Sequence, residues 1–203
     1  MALNFAVNNS LSAVTALPAS ISGGGLNLIS TQTASSSSTI SFTSGIDSTY
    51  KEYIFKFINV HPATSDASFT FNMSVDGGSN YNVTKTTTTP RAYHDEADSE
   101  AAIEYDGGQD LAQSTSFQGI SRFLGNGNDE CGSGTLHIFN PSSTTFVKHF
   151  IAEASTYYSG DYIFHDFTAG YGNTTSAVNA VQFKMSSGNI DAGTIKMYGI
   201  KDS

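Results

Sequence analysis

The sequence contains no tryptophan, a single cysteine and few charged residues. Cys131 alone cannot form a disulfide within the chain, nor a metal site built from several cysteines. Charged residues make up 13% of the 203 residues, against about 25% in a typical globular protein. Lysine and arginine never form a run, and the formal net charge is −9. Because nucleic-acid binding requires a basic surface, we expect no nucleic-acid partner.

Long hydrophobic runs are missing as well. No apolar stretch approaches the roughly 20 residues of a membrane-spanning helix. No lysine or arginine precedes Lys51, so the basic region of a secretory signal peptide is absent. We therefore expect a protein that is made in the cytoplasm and has no membrane partner.

Serine, threonine, asparagine and glycine fill the chain instead, together with short segments in which apolar and polar residues alternate. Residues 69–75 show the alternation most clearly, and this period of two is typical of a β-strand. The turn-forming sequence Asp76-Gly-Gly78 follows. It predicts a hairpin between residues 69–75 and residues 81–88.

Similar segments recur along the chain, separated by turn-forming residues such as the serine run Ser35–Ser38. About ten strands at short spacing predict an all-β fold, an antiparallel β-sandwich of jelly-roll type. The last two segments are predicted to form a closing hairpin. The predicted strands are 26–33, 39–43, 52–58, 69–75, 81–88, 115–123, 134–139, 146–156, 162–168, 178–186 and 193–201.

The first 25 residues differ from the rest because they carry no charged side chain and end in Ser22-Gly-Gly-Gly25, a flexible joint. Their apolar residues follow no sustained period, so their burial requires a partner surface. We predict an N-terminal arm, residues 1–25, that reaches up to about 80 Å from a β-sandwich domain formed by residues 26–203. The predicted partner-binding residues of the arm are Leu3, Phe5, Val7, Leu11 and Val14, with Leu17 as a further apolar residue.

One acidic segment, Tyr93–Glu100, offers a histidine and four carboxylates. The order of these residues matches neither a calcium-binding loop nor a zinc-binding pair. The pattern favours a solvated acidic loop and leaves open whether the segment holds a cation. Residues 93–105 as a whole are predicted to form a surface loop with at most one helical turn, because they have too few apolar residues to bury a helical stripe.

No catalytic or cofactor site is predicted. His149 and His165 each lie within a predicted strand, and Cys131 lies in a turn without a catalytic signature around it. The Gly-x-Ser-x-Gly sequence of a nucleophile elbow does not occur. We expect no enzyme activity, no cofactor and no metal.

Tyrosines near the short loops of the last third of the chain are the residues with most weight for binding. A tyrosine buries a large ring and still offers a hydroxyl group, which suits contact with protein or sugar. The alternative is that these rings complete the margin of the core. The predicted receptor or partner loop contains Tyr157, Tyr158, Tyr162 and Tyr171.

Four segments, Thr43–Phe57, Phe69–Lys85, Pro141–His149 and Gly193–Lys201, resemble a family of virion proteins from tailed bacteriophages, particularly marine ones. The resemblance covers about residues 26–201. It implies a β-sandwich displayed on the particle, either as a capsid decoration protein or as a tail or fibre component. It carries no catalytic residues.

Together these features predict a non-enzymatic structural protein of the virion, assembled in the host cytoplasm and attached to other virion proteins through its N-terminal arm. A homotrimer or larger ring is the expected assembly. The alternative is a host-recognition module that binds a surface glycan or protein through the tyrosine loops. A polysaccharide-degrading enzyme is the least favoured hypothesis, because no nucleophile, base or metal set is evident.

Overall fold

The computed structural model describes residues 25–200. They form thirteen β-strands, all paired in antiparallel fashion. The strands are β1 (Leu26–Ser37), β2 (Ile40–Phe42), β3 (Glu52–Pro62), β4 (Ala67–Ser74), β5 (Lys85–Thr88), β6 (Pro90–Asp95), β7 (Ala101–Tyr105), β8 (Gln118–Leu124), β9 (Gly132–Phe139), β10 (Lys148–Tyr158), β11 (Tyr162–Gly172), β12 (Ala180–Met185) and β13 (Ile190–Ile200).

These strands form one nearly closed, barrel-like sheet. Its main path runs β1-β13-β3-β9-β10-β8-β4-β12-β2, and β11 branches from β10 to pair with β5 and β6, which in turn pairs with β7. The two ends of the path approach one another where Gln32 of β1 donates a side-chain hydrogen bond to the backbone oxygen of Ser41 in β2, at 2.6 Å. The sheet thereby encloses a single core.

Aromatic side chains from opposite parts of the sheet fill this core. Phe69 and Phe183 stack with ring centroids 5.3 Å apart, and Phe57 meets Phe69 at 5.2 Å from across the core. Phe42 and Phe55 complete the cluster. Full burial of such a side chain stabilises a fold by about 1.5–3 kcal/mol, so these rings hold β2, β3, β4 and β12 together.

The hairpin predicted for residues 69–75 and 81–88 is wrong. All eight residues of β4 are buried, and the strand is already paired with β8 on one edge and β12 on the other. Residues 85–88 form β5, which pairs with β11. Asp76-Gly-Gly78 does turn the chain, with Gly77 and Gly78 at positive φ, but the turn directs it to another part of the sheet.

The predicted closing hairpin is also wrong. β12 pairs with β4 and β2, whereas β13 pairs with β1 and β3. The connection around Gly188 therefore passes from one part of the sheet to another. The predicted turn at Ser35–Ser38 begins later, because β1 continues to Ser37 and pairs along this stretch with β13.

The all-β, antiparallel class is confirmed, with thirteen strands rather than about ten. Part of the difference lies in β6 and β7, where the sequence favoured a loop. The predicted arm falls almost wholly outside the described residues, so its boundary and its contacts stay predictions. Within residues 25–200, no helix is long and apolar enough to span a membrane.

Candidate functional site

Three of the four predicted tyrosines lie beside the turn between β10 and β11, and two of them, Tyr158 and Tyr162, are in contact. Tyr158 and Tyr162 are directly paired across this hairpin, with ring centroids 5.9 Å apart. Tyr158 also stacks on Phe164 at 5.1 Å, and Tyr93 of β6 meets Tyr162 edge-on at 6.0 Å. The rings therefore form a half-buried aromatic cluster at one end of the sheet, as a core margin would.

Two tyrosine hydroxyl groups at this turn, those of Tyr157 and Tyr162, bind carboxylates. Tyr157 Oη lies 3.2 Å from Glu96 Oε1 and 3.2 Å from Asp161 Oδ1. Desolvation, and then these two neighbouring carboxylates, raise the pKa of Tyr157 to about 12. Tyr162 Oη donates to Glu100 at 2.9 Å, and this hydrogen bond raises its pKa. These two hydroxyls are thus held by Glu96 and Glu100, from the segment that joins β6 and β7, and by Asp161 of the β10–β11 turn.

Tyr171 does not belong to this cluster. It lies nine residues further along β11 than Tyr162, which corresponds to about 30 Å of strand. Its ring stands beside His149 of β10, with centroids 6.2 Å apart. The sequence analysis grouped these tyrosines because all four lie near short loops. In the structure, Tyr162 and Tyr171 lie near opposite ends of the eleven-residue strand β11.

The acidic segment Tyr93–Glu100 is a β-hairpin turn and not a loop with helical character. Asp95 accepts hydrogen bonds from the backbone nitrogens of Ser99 and Glu100, both at 2.8 Å, and from the Ser99 hydroxyl. The Ser99 hydroxyl and these backbone groups hold the pKa of Asp95 below its ordinary value. Across residues 25–200, no group of three or more potential ligands is arranged to hold a metal ion.

Cys131 borders a depression of about 470 Å³ between β3, β13 and the turn before β9. Burial raises the pKa of its thiol, so the reactive thiolate is disfavoured. The nearest histidine in this depression, His61, is directed at Asp191, with 3.9 Å between Nδ1 and the carboxylate. The geometry does not activate Cys131 as a nucleophile.

His165 lies on the outer face of the sheet, where its Nε2 is 2.8 Å from Glu153 Oε1. Ser155 is directly opposite His165 in the strand register, so the three residue types of a catalytic triad are adjacent. In the part of the chain that the structure describes, however, no serine hydroxyl forms a hydrogen bond with His165. The site is also an exposed sheet surface whose backbone N–H groups pair with neighbouring strands, which leaves no oxyanion hole.

A buried ion pair is the main polar feature of the interior, and no pattern in the sequence predicted it. Arg122 of β8 and Asp166 of β11 are both fully buried, with Nη2 and Oδ1 2.6 Å apart. Asp166 also accepts a hydrogen bond from Thr156 at 3.2 Å. Arg91 and Asp106 extend the network toward solvent. Because Asp166 and Arg122 are both inaccessible to solvent, we interpret the network as structural.

The outer face of the sheet carries a continuous apolar band. The strand register places Leu28, Tyr198 and Ile54 side by side on β1, β13 and β3. The row continues through His137 of β9 and Ile151 of β10. Leu28 is 57% exposed and Ile151 is 50% exposed. Large apolar side chains thus remain in solvent at both ends of this row.

A second row runs beside the first, from Leu26 across Ile200 and Glu52 to Phe139. Its only charged residue, Glu52, is paired with His137 Nδ1 at 2.6 Å. We call the two rows the outer belt. Its members are Leu26, Leu28, Glu52, Ile54, Thr86, Thr88, His137, Phe139, His149, Ile151, Ala169, Tyr171, Tyr198 and Ile200.

The far end of the outer belt contains an open hollow of about 580 Å³. Phe139 and Ile151 stand on one side of it, and Thr86 and Tyr171 on the other. The hollow exists because Ala169, which lies opposite Ile151, has too small a side chain to fill the space. Its surface is predominantly apolar, so it favours an apolar occupant over a sugar or an ion.

One signal in the sequence could have revealed the outer belt. The second face of the segment 52–58 is only partly polar, since Ile54 and Ile58 alternate with charged residues. In the structure, Ile54 is 6% exposed although it lies outside the core cluster. What the sequence could not supply is the register that aligns Ile54 with Leu28 and Ile151.

Comparison of the chain with protein-family models, with curated proteins and with solved structures finds no match.

Proposed function

We propose that the protein is a non-enzymatic structural component of a bacteriophage virion, attached to the particle through residues 1–25. Its partners are other virion proteins, either of the capsid or of the tail, and further copies of the same chain in a trimer or larger ring. The resemblance described above supports the virion class. The structural support is the apolar outer face, which is the kind of surface that subunits bury against one another.

Exposed apolar residues on this face carry the proposal. Besides the outer belt, the face includes Ile163 and Phe167 of β11 and Ile103 and Tyr105 of β7. Ile103 is 85% exposed. Soluble monomers rarely keep so many large apolar side chains on one face. A protein of an assembled particle has neighbouring subunits to cover them.

The jelly-roll arrangement forms part of the same proposal. Two contacts across the core support it: Phe57 of β3 with Phe69 of β4, and Phe71 of β4 with Phe150 of β10, at 4.9 Å. Through these contacts β4 faces β3 and β10, as strands of two opposed sheets do. A jelly roll with bridged sheets would account for both the sandwich-like core and the continuous barrel-like path.

The test is incorporation into particles. Phage carrying a chain without residues 1–25 should assemble particles that lack this protein, while the truncated domain itself remains folded. Normal occupancy of the truncated protein in purified particles would show that the arm is not the anchor. An Ile103→Lys variant of the full chain separates anchoring from subunit packing, since it should keep attachment but lose the ring.

The aromatic cluster at the β10–β11 turn supports a second candidate, a host-recognition module. Its tyrosine hydroxyls and acidic partners offer donors and acceptors for a surface glycan or protein. Because Tyr158 stacks on Phe164, replacing it would disturb folding. Tyr157→Phe with Tyr162→Phe is the better test: loss of binding to host cells without a change in melting temperature would support recognition, and unchanged binding would contradict it.

A further inference from the structure

The outer belt begins where the first 24 residues of the chain enter the sheet. Gly25 precedes Leu26, the first residue of β1, and Leu26 is itself a member of the belt. In the strand register, Leu26 is level with Phe139, which borders the hollow. Three strand spacings separate these two residues, which is about 14 Å. The N-terminal segment therefore enters beside an apolar surface on its own chain.

The composition of that segment matches the belt. Residues 1–24 contain no Asp, Glu, Lys or Arg, in a chain whose net charge is −9. The belt holds one charged residue, Glu52, and it is already paired with His137. Docking an uncharged, apolar segment here would bury large side chains without leaving an unpaired charge, which is the costly event in burial.

The length of the segment is also sufficient. From Leu26 to Thr88 the belt crosses six strand spacings, about 29 Å. Nine extended residues cover that distance, and the apolar residues of the segment extend from Leu3 to Leu17. Residues 18–25 form a short tether between this segment and β1. The tether keeps the segment at a high effective concentration near the belt, which favours docking on the same chain over docking on a neighbouring copy.

We propose that the apolar residues of the N-terminal segment, between Leu3 and Leu17, dock on the outer belt of their own chain, with a large side chain in the hollow beside Ile151. In the isolated protein the belt is thus covered by the N-terminal segment of the same chain. This inference does not rest on the proposed virion function, because it concerns the protein on its own and is tested without particles.

The experiment is cysteine cross-linking in the full chain with Cys131→Ser. One cysteine is placed in the segment by Ala16→Cys, which spares the large apolar residues. The second replaces either Ile151, in the belt, or Ile58, on the outer face of β3 but outside the belt. These two positions are matched, since Ile151 is 50% exposed and Ile58 is 41% exposed.

The distances of Ile151 and Ile58 from Leu26, where the N-terminal segment joins the sheet, are also matched. Ile151 is about 20 Å from Leu26, and Ile58 is about 22 Å from it, when strand spacings and residues along the strands are combined. Ala16 lies ten residues before Leu26, so an extended chain reaches about 33 Å and both targets are accessible. A segment that samples the surface at random would react with both at similar rates.

Docking predicts that a short bismaleimide forms the intrachain cross-link to position 151 roughly tenfold faster than that to position 58, because docking raises the local concentration at the belt. Adding Leu11→Asp and Val14→Asp to the segment should abolish the difference. Equal rates at the two positions would overturn the proposal. A covalent dimer as the main product at position 151 would overturn it too, since the segment would then occupy a second copy. Melting temperatures of all variants establish that each is folded.

Discussion

Lys85 provides the sharpest test of the interior. Its side chain is fully buried, and its ammonium group donates to Asn72 Oδ1 at 2.6 Å and to the backbone oxygen of Val83 at 2.8 Å. Both acceptors are neutral. Burial lowers the pKa of Lys85 from 10.5 to about 7, because removal from water disfavours the charged form and no carboxylate of residues 25–200 is bonded to it to compensate.

The sign of the effect on stability follows from proton binding. Between pH 7 and pH 10.5, the unfolded state keeps the proton on Lys85 while the folded state loses it. Stability therefore rises with pH across this window. With a folded pKa of about 7, the free energy of unfolding should increase by about 2 kcal/mol between pH 7 and pH 9. Burial of Lys148 lowers its pKa too and adds an effect of the same sign.

The assay is urea denaturation at pH 7 and pH 9 in a Cys131→Ser background. That background removes the thiol, whose raised pKa would act in the opposite direction near pH 9. Lys85→Met should lose most of the pH dependence. Lys51→Met is the matched control, because Lys51 is exposed and its replacement changes the net charge equally. If Lys85→Met kept the full increase of the parent protein, the assignment to Lys85 would be wrong.

Three further predictions concern the fold. Asp166→Asn should destabilise the protein by about 3–5 kcal/mol, because Arg122 then stays buried with only its longer contact to Asp106, at 3.4 Å; thermal or urea unfolding measures it, and a loss below 1 kcal/mol would refute the role of the pair. Asp95→Asn should flatten the pH dependence of stability in acid, since the lowered pKa of Asp95 makes its contribution disappear as pH falls through that value; an unchanged acid profile would contradict this. Gly134→Ala should destabilise the sheet by about 1–3 kcal/mol, because its Cβ would clash with the Glu153 backbone oxygen. Gly77→Ala is the control, because its added Cβ meets nothing within 4 Å and any loss of stability there comes from backbone strain without a clash.

The sequence was sufficient for the class of fold and for much of the core. Alternation at Tyr53, Phe55 and Phe57 identified β3, and each of these residues is buried in the structure. The closing segment predicts Ile195, Met197 and Ile200 as core residues; Ile195 and Met197 are buried, but the prediction for Ile200 is wrong, because it is only half-buried and lies on the outer face of the sheet. Local alternation of this kind indicates which face of a strand is directed at the core, and therefore which of its side chains are buried.

Strand pairing could not be predicted in the same way. Asp76-Gly-Gly78 is a strong local turn signal, but β4 pairs with β8 and β12, whose sequences lie 44 or more residues away from its end. The apolar segment of β4 is buried on both faces, and such a strand has its partners chosen by packing rather than by the nearest turn. The buried pair of Arg122 and Asp166 was hidden for the same reason, since the two residues are far apart in the chain.

In the candidate sites, too, local features could be predicted from the sequence, whereas features that depend on strand length and register could not. The tyrosines around the β10–β11 turn were identified from their position beside a short loop, because Tyr158 and Tyr162 are local neighbours across that turn. Tyr171 was misplaced, because strand length decides its position. The outer belt combines residues from β1, β3, β5, β9, β10, β11 and β13, so it becomes visible only when the register of the whole sheet is known.

The position of β13 has a consequence for synthesis of the protein. The last described strand lies between β1 and β3 and pairs with both along most of its length. While the chain is being translated, β1 and β3 have no partner at this position until residue 200 has left the ribosome. Early strands with open edges are prone to pair with other chains. The sheet can therefore close only once β13 has been synthesised, and a chain that stops before β13 would leave β1 and β3 without their shared partner.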